Sequence, residues 1–208
     1  DGADIIDLGA ESTRPGAKAI SKEEELRRLT PIVESYNHIQ PLSIDTQKAT
    51  VAEWALRNGA SIINDVSGLR DPDMAAVIGE HNAEVVIMHM LGTPETMQSN
   101  PSYENIMDDI MRFFDQKITL AQKHKISKII LDPGIGFGKT VSHNLTLLAN
   151  CDRLVEFGYP ICIGTSNKSF IGQLTDSDVN QRLAGTIASN LFTLNQSASI
   201  FRVHDVKA

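Results

Sequence analysis

Apolar residues in this chain gather into short runs, and almost every run ends on a polar residue or Gly. Ile5-Ile6-Asp7-Leu8 leads to Gly9, Leu42-Ser43-Ile44 to Asp45, and Ile62-Ile63 to Asn64 and Asp65. Val85-Val86-Ile87-Met88 leads to His89, Ile129-Ile130-Leu131 to Asp132, Ile161-Cys162-Ile163 to Gly164, and Ile200-Phe201 to Arg202. A short continuous apolar run bounded by turn residues reads as a strand buried on both faces, as in a parallel sheet. Between these runs the apolar spacing turns helical. Ser21 opens a helix with Glu24 completing a capping box, and Leu26, Leu29, Ile32 and Val33 give it one apolar face. Further helices are predicted over 48–58, ending at Gly59, and over 74–81, 103–125, 143–157 and 179–195.

That makes seven β units, six of them followed by a helix. Strict alternation implies a parallel sheet with right-handed crossovers, either doubly wound or closed into a barrel. A doubly wound sheet collects its polar strand ends at one switch point, whereas here they are spread over all the strands. The expectation is therefore an α/β TIM (β/α)8 barrel lacking its first β/α unit and its last helix. A single domain over residues 1–208 is expected, with no internal repeat, low-complexity segment or linker.

Composition narrows the function. The chain has 208 residues, 41% hydrophobic and 22% charged, which suits one sizeable globular core. No apolar run approaches the ~20 residues of a membrane span. A formal charge of −7 argues against a nucleic-acid surface, so cations for an anionic ligand must be concentrated locally. Cys151 and Cys162 form no C-x-x-C pair, and Cys162 lies inside an apolar run. A buried reduced thiol and a cytoplasmic compartment follow. No His/Cys group has zinc-ligand spacing.

The densest candidate chemistry is Asp132-Pro133-Gly134-Ile135-Gly136-Phe137-Gly138-Lys139. An Asp at a strand's end, followed by Gly where backbone must approach something closely, reads as a site; an Asp capping the next helix is the other reading. The same arrangement recurs along the chain. Glu11-Ser12-Thr13-Arg14-Pro15-Gly16, Ser43-Ile44-Asp45-Thr46, Ile63-Asn64-Asp65, Met88-His89-Met90, the Gly-rich stretch, Lys168-Ser169-Phe170-Ile171-Gly172 and Arg202-Val203-His204-Asp205 follow in order. In this order, each at a predicted strand end, the motifs resemble the pterin-binding barrel family, and within it the dihydropteroate synthases. The resemblance runs from Ala3 to Val206.

The resemblance implies a transferase of folate biosynthesis. Such an enzyme joins 6-hydroxymethyl-7,8-dihydropterin diphosphate to 4-aminobenzoate, making 7,8-dihydropteroate and releasing pyrophosphate. It implies that Asp45, Asn64, Asp132 and Lys168 contact the pterin, and that Arg202 and His204, with Thr13 and Arg14, hold the diphosphate. It places Thr13, Arg14, Pro15, Phe137 and Ser169 at the aminobenzoate, with Mg²⁺ as cofactor and a homodimer as the assembly. The residue types suit these roles. A pterin edge of amino, ring N–H and carbonyl groups needs carboxylates and amides in a pocket. Arg202 and His204 alternate on the last strand and face one side, as an anion clamp would. Bland readings stand beside each: Asp45 as a helix cap, Asn64 as a core amide, Lys168 as a surface cation, Phe137 and His204 as core. His89 reads as support for the pocket and His143 as a helix-start residue.

The catalytic set expected is Asp45, Asp132, Lys168, Arg202 and His204. Arg202, His204 and Mg²⁺ would stabilise departing pyrophosphate while the neutral aniline nitrogen attacks a methylene of developing cation character. No protein nucleophile is needed. Two alternatives remain, a pterin-dependent methyltransferase on the same barrel and a pterin-binding chain without catalysis. The first has no need of the Arg202–His204 clamp. The sequence also departs from the family pattern. The Asn that binds Mg²⁺ belongs to a first strand expected ahead of residue 1, so the metal ligand is unknown, and position 167 is Asn where Arg is usual.

Overall fold

The computed structural model describes residues 2–36 and 39–207. Seven strands alternate with helices: β1 (Ile6–Gly9), α1 (Lys22–Ser35), β2 (Leu42–Asp45), α2 (Ala49–Arg57), β3 (Ile62–Asp65), α3 (Met74–Glu80), β4 (Glu84–Met88) and α4 (Ile106–Lys123). Then come β5 (Ile129–Asp132), α5 (Val141–Ala149), α6 (Asp152–Val155), β6 (Cys162–Ile163), α7 (Ser169–Thr175), α8 (Leu183–Leu194) and β7 (Ile200–Phe201). β1 to β5 pair in sequence order and β6 pairs β7, all parallel. A parallel bridge from Leu131 to Ile161 joins the two groups. Parallel strands in sequence order with helices between them are the wall of a TIM barrel, as the strand pattern implied. Arg202, just past β7, donates to Asp7 on β1 at 2.7 Å, so a side-chain contact bridges the two ends of the wall, which do not pair among the described residues.

Strand period sorts the core into two layers. Ile62, Val86, Ile130 and Cys162 form an inner cluster with Ile5 and Ile200 against it. The alternate residues Ile63, Ile87, Leu131 and Ile163 belong to the larger cluster under the helices. Two residues further along each strand, the inner phase passes from Ile62 to Asn64, from Ile130 to Asp132 and from Ile200 to Arg202. The polar layer of the barrel thus stands directly on an apolar plug.

Several elements differ from the sequence expectation, each for a local reason. The helix predicted over 143–157 is two. It starts earlier, at Val141, because Thr140 and His143 form the capping box. It ends at Ala149, where Asn150 leaves helical geometry with φ −124°, its side chain donating back to Thr146 O at 2.8 Å. Cys151 N–H then turns to Gln196 Oε1 at 3.0 Å, and α6 is a separate turn. α4 is shorter than predicted because Asn105 caps it, accepting from Met107 N–H and Asp108 N–H. α7 has no counterpart among the predicted helices; Phe170 and Ile171 anchor it. The helix predicted over 179–195 begins as a 3₁₀ turn, Val179–Gln181, before α8. Both cysteines are free and buried, and burial pushes their thiols up, Cys151 to about 11.

Candidate active site

A cleft opens at the carboxyl ends of the strands. Asp45, Asn64, Asp132, Lys168, Arg202 and His204 all line it, together with Thr13, Phe137, Ser166, Val66, Met88, Ile135 and Gly164. Six distant sequence positions therefore converge because each follows the inward phase of its own strand. β2 supplies Asp45, and the facing position on β1 is Gly9, where a Cβ would come within 3.2 Å of the Asp45 Cβ. A side chain there would press on Asp45 and shift it by a few tenths of an ångström.

The Gly-rich loop after β5 is held carbonyl by carbonyl. Ile135 O accepts from Lys168 Nζ at 2.7 Å, Gly136 O from Gln98 at 2.8 Å, Phe137 O from Lys139 Nζ at 2.9 Å and Gly138 O from Tyr103 at 2.8 Å. Gly134, Gly136 and Gly138 have φ of 68°, 82° and 65°, where a side chain is strained. A Cβ on Gly134 would also overlap the His89 carbonyl oxygen. Gly134→Ala should lower stability by about 2–4 kcal/mol, the sum of backbone strain and overpacking. Urea unfolding reads this, and a loss below about 0.5 kcal/mol would contradict it.

Electrostatics in the cleft are set by burial. Asp132 accepts from Gly134 N–H at 2.7 Å, yet burial raises its pKa, with Gly134, Lys168, Lys139 and Arg202 pulling the other way. Burial, and then the Asp7 carboxylate, pushes Asp45 up to about 8. Burial draws Lys168 down to about 8, against the opposing pull of Asp132. Lys168 Nζ stands 4.1 Å over the Phe137 ring centroid, a cation–π contact. Beneath the loop, burial draws Lys139 down to about 7 and His89 to about 2. His89 is thus neutral, and its Nδ1 lies 3.0 Å from Lys139 Nζ. His89 supports the loop from below, beside Phe113 and Tyr103.

On the anion side, Arg202 Nη2 lies 3.8 Å from Asp45 Oδ2. Asp7 and Asp45 outweigh burial and hold the Arg202 guanidinium charged. His204 Nδ1 meets Ser166 Oγ at 2.9 Å. Burial, then Arg202 and Arg14, lower its pKa. Thr13 reaches the cleft, whereas Arg14 and Pro15 are exposed on the same loop. Ser169 heads α7 and is exposed outside the cleft lining; Ser166 lines it instead. Asn167 sits at the turn between them with φ 56°, a left-handed position that Asn tolerates, its carbonyl accepting from Arg182. Sequence reasoning gave no role to Asp7 or Ser166. Both continue an inward phase, Asp7 two residues after Ile5 and Ser166 two after Gly164. Among the described residues, no three His, Cys, Asp or Glu side chains converge as a metal cage.

A parallel barrel whose strand ends present acceptors and an Arg–His pair to one cleft is the arrangement expected of a pterin-binding enzyme. Residues 1–204 match the family described as pterin binding enzyme. A dihydropteroate synthase from Synechocystis sp. is 43% identical over 213 residues, covering 100% of this chain and 74% of that protein. The crystal structure of Yersinia pestis dihydropteroate synthase in a sulfonamide drug complex superposes with a TM-score of 0.95 at 42% identity, covering 99% of this chain and 76% of that one. The Thermus thermophilus enzyme in complex with 4-aminobenzoate gives 0.94 at 42% identity, covering 99% and 80%. The chain belongs to the pterin-binding enzyme family. Its function is dihydropteroate synthesis, a transferase step of folate biosynthesis.

Proposed function

We propose that the cleft divides the substrates as follows. Asp45, Asn64, Asp132 and Lys168 read the pterin ring. Arg202 and His204, with Thr13 and Arg14, hold the diphosphate. Phe137, Pro15 and the loop bearing Thr13 and Arg14 border the 4-aminobenzoate, with Ser169 at the rim. The observation that carries this reading is that three acceptor-bearing strand ends and the Arg202–His204 pair face one cleft.

The chemistry follows from this placement. The bond between the pterin methylene and the diphosphate oxygen breaks, the aniline nitrogen forms a bond to that carbon, and the nitrogen sheds a proton. Arg202 receives the growing charge of the leaving group, and His204, held by Ser166, donates to it. Mg²⁺, when bound, withdraws further charge from the diphosphate. Arg202, His204, Thr13 and Ser166 face that end, and Mg²⁺ would keep diphosphate oxygens and water among its ligands, as is usual for it. A methylene with cation character is stabilised by ionised Asp45, so the transition state uses the carboxylate form.

Initial rates of pyrophosphate release from pterin diphosphate and 4-aminobenzoate test the reading. Asn64→Ala should raise the pterin KM about tenfold or more, the loss of one buried hydrogen bond. Methyl transfer from methyl-tetrahydrofolate, with no pyrophosphate release, would instead favour the methyltransferase alternative. The pH dependence is specific. kcat/KM should rise from pH 6 towards 8 as Asp45 ionises, and fall beyond about 8 as Lys168 loses its proton. A flat profile from about pH 6 to 9 would contradict both assignments.

The chain is proposed to work in the cytoplasm, where its two buried thiols stay reduced. Among the described residues no helix is long and apolar enough to cross a membrane. It is also proposed to form a homodimer. Leu145, Leu174, Leu191 and Phe192 are exposed on α5, α7 and α8 and give the apolar face such an assembly needs. Sedimentation equilibrium of the enzyme tests this.

A further inference from the structure

Asp7 touches three side chains and lies inside the barrel, one step below the polar layer. Its Oδ1 accepts from Ser43 Oγ at 2.7 Å. Its Oδ2 meets Arg202 Nε at 2.7 Å and Asn64 Nδ2 at 3.2 Å. A guanidinium nitrogen can only donate. The oxygen it meets is therefore an unprotonated acceptor, and whatever else faces that oxygen must also donate. The Asn64 amide has two ends of nearly the same shape, and only its neighbours decide which way it lies. Asp7 leaves no choice: the NH₂ end turns down to Asp7 and the carbonyl end is left to the cleft. Among the described residues no donor meets Asn64 Oδ1, and Asn64 lines the cleft.

We propose that Asp7 is a specificity-determining positioning residue, which fixes the polarity of the Asn64 amide so that the cleft presents a hydrogen-bond acceptor there. The proposal rests on the reading of Asn64 as a pterin contact. With Asp45 and Asp132, the cleft then offers a row of carbonyl and carboxylate oxygens. That row suits the donor-rich edge of the pterin, its amino and ring N–H groups. A heterocycle presenting an acceptor at that point would leave a buried acceptor facing an acceptor. Sites built to receive an N–H reject analogues that lack it far more strongly than apolar pockets reject a missing methylene.

The test is a single variant followed by a second substitution at Asn64. In D7L the Asn64 NH₂ end loses its acceptor and meets an apolar group, so nothing holds the amide's polarity and it is free to turn over and present NH₂ to the pterin. The Kd of a pterin without diphosphate, measured calorimetrically, should rise roughly tenfold to a hundredfold. In D7L/N64D a carboxylate at position 64 presents an oxygen to the cleft whichever way it lies, so it needs no residue to orient it. Most of the lost affinity should return, which a merely structural role for Asp7 would not produce. Pterin affinity in D7L equal to that of the parent, or no recovery in the double variant, overturns the proposal. Asn64→Ala separates the two readings: unchanged pterin affinity there removes Asn64 from the site, whatever Asp7 does. Should D7L fail to fold, neutron diffraction of the unaltered enzyme decides. Deuterons on the Asn64 atom facing Asp7 are expected, and deuterons on the cleft side overturn the proposal.

Discussion

Asp132→Asn should lower kcat/KM by about two to four orders of magnitude while the barrel still folds. The side chain keeps its size, and Asn can still accept from Gly134 N–H. What disappears is a buried negative charge. A hydrogen bond to a charged group contributes about 1.5–3 kcal/mol, and the pterin edge can make two of them to a carboxylate. Together they correspond to about 10² to 10⁴ in rate. A second loss adds to this. Asp132 is the main influence holding up the pKa of both Lys168 and Lys139 against burial. Without it Lys168 drops below its present value of about 8, and more of it is a neutral amine at pH 7. The alkaline limb of the kcat/KM profile should therefore move to lower pH in the variant. Steady-state kinetics with the pterin diphosphate varied reads both effects. A variant within tenfold of the parent, with an unmoved alkaline limb, would remove Asp132 from the chemistry.

Asp132 was legible in the sequence because it breaks an apolar run at the point where the strand gives out. Asp45 and Asn64 were legible for the same reason. Period two along each strand then carries them to one side, so a pattern read in one dimension becomes a cluster in three. Asp7 obeys the same phase, but it falls inside its run, with Leu8 after it, and no chain break draws attention to it. Its role depends on Arg202, 195 positions away, which only closure of the wall reveals. Ser166, which lines the cleft, escapes the sequence pattern by a related route. The inward phase Cys162, Gly164, Ser166, Lys168 continues through the turn, and Ser169 then leaves it as the first residue of α7. The break at Asn150 is a competition between side chain and backbone over one hydrogen bond, which helical periodicity does not record. The support of the Gly-rich loop was invisible too. Tyr103 falls at the start of the helix predicted over 103–125 and Gln98 in the polar stretch before it, and periodicity marks no partner for either, yet each holds one carbonyl of that loop.

Aminobenzoate should bind well only once the diphosphate, or pyrophosphate with Mg²⁺, is in place. The long loop after β1 is anchored at both ends by one carboxylate. Glu11 Oε2 accepts from Ile20 N–H at 2.8 Å and from Lys48 Nζ at 2.7 Å, and Lys48 also meets buried Glu25 at 2.6 Å. Between these anchors, Gly16 N–H reaches Pro94 O at 2.9 Å and Ala17 N–H turns back to Arg14 O at 3.0 Å. The segment that can close is thus 12–19, and its tip already leans on the neighbouring loop. Thr13 lines the cleft, while Arg14 stays exposed, near enough for its charge to depress His204. A diphosphate between Arg14 and the Arg202–His204 pair would exchange that repulsion for charge-assisted hydrogen bonds. Ordering the segment costs roughly 1–2 kcal/mol per residue fixed. The small surface of aminobenzoate offsets little of that, whereas a diphosphate adds charge-assisted hydrogen bonds to a segment that Gly16 and Ala17 already hold in part. Calorimetry should show aminobenzoate affinity rising at least about tenfold on adding pyrophosphate and Mg²⁺, since two new charged hydrogen bonds supply about 3 kcal/mol or more. Arg14→Ala should abolish that rise, increase the KM for aminobenzoate and lower kcat, while leaving pterin affinity within about threefold because Asp45, Asn64 and Asp132 sit on strand ends that do not move. Tight aminobenzoate binding to the free enzyme, unchanged by pyrophosphate, would refute the ordered closure.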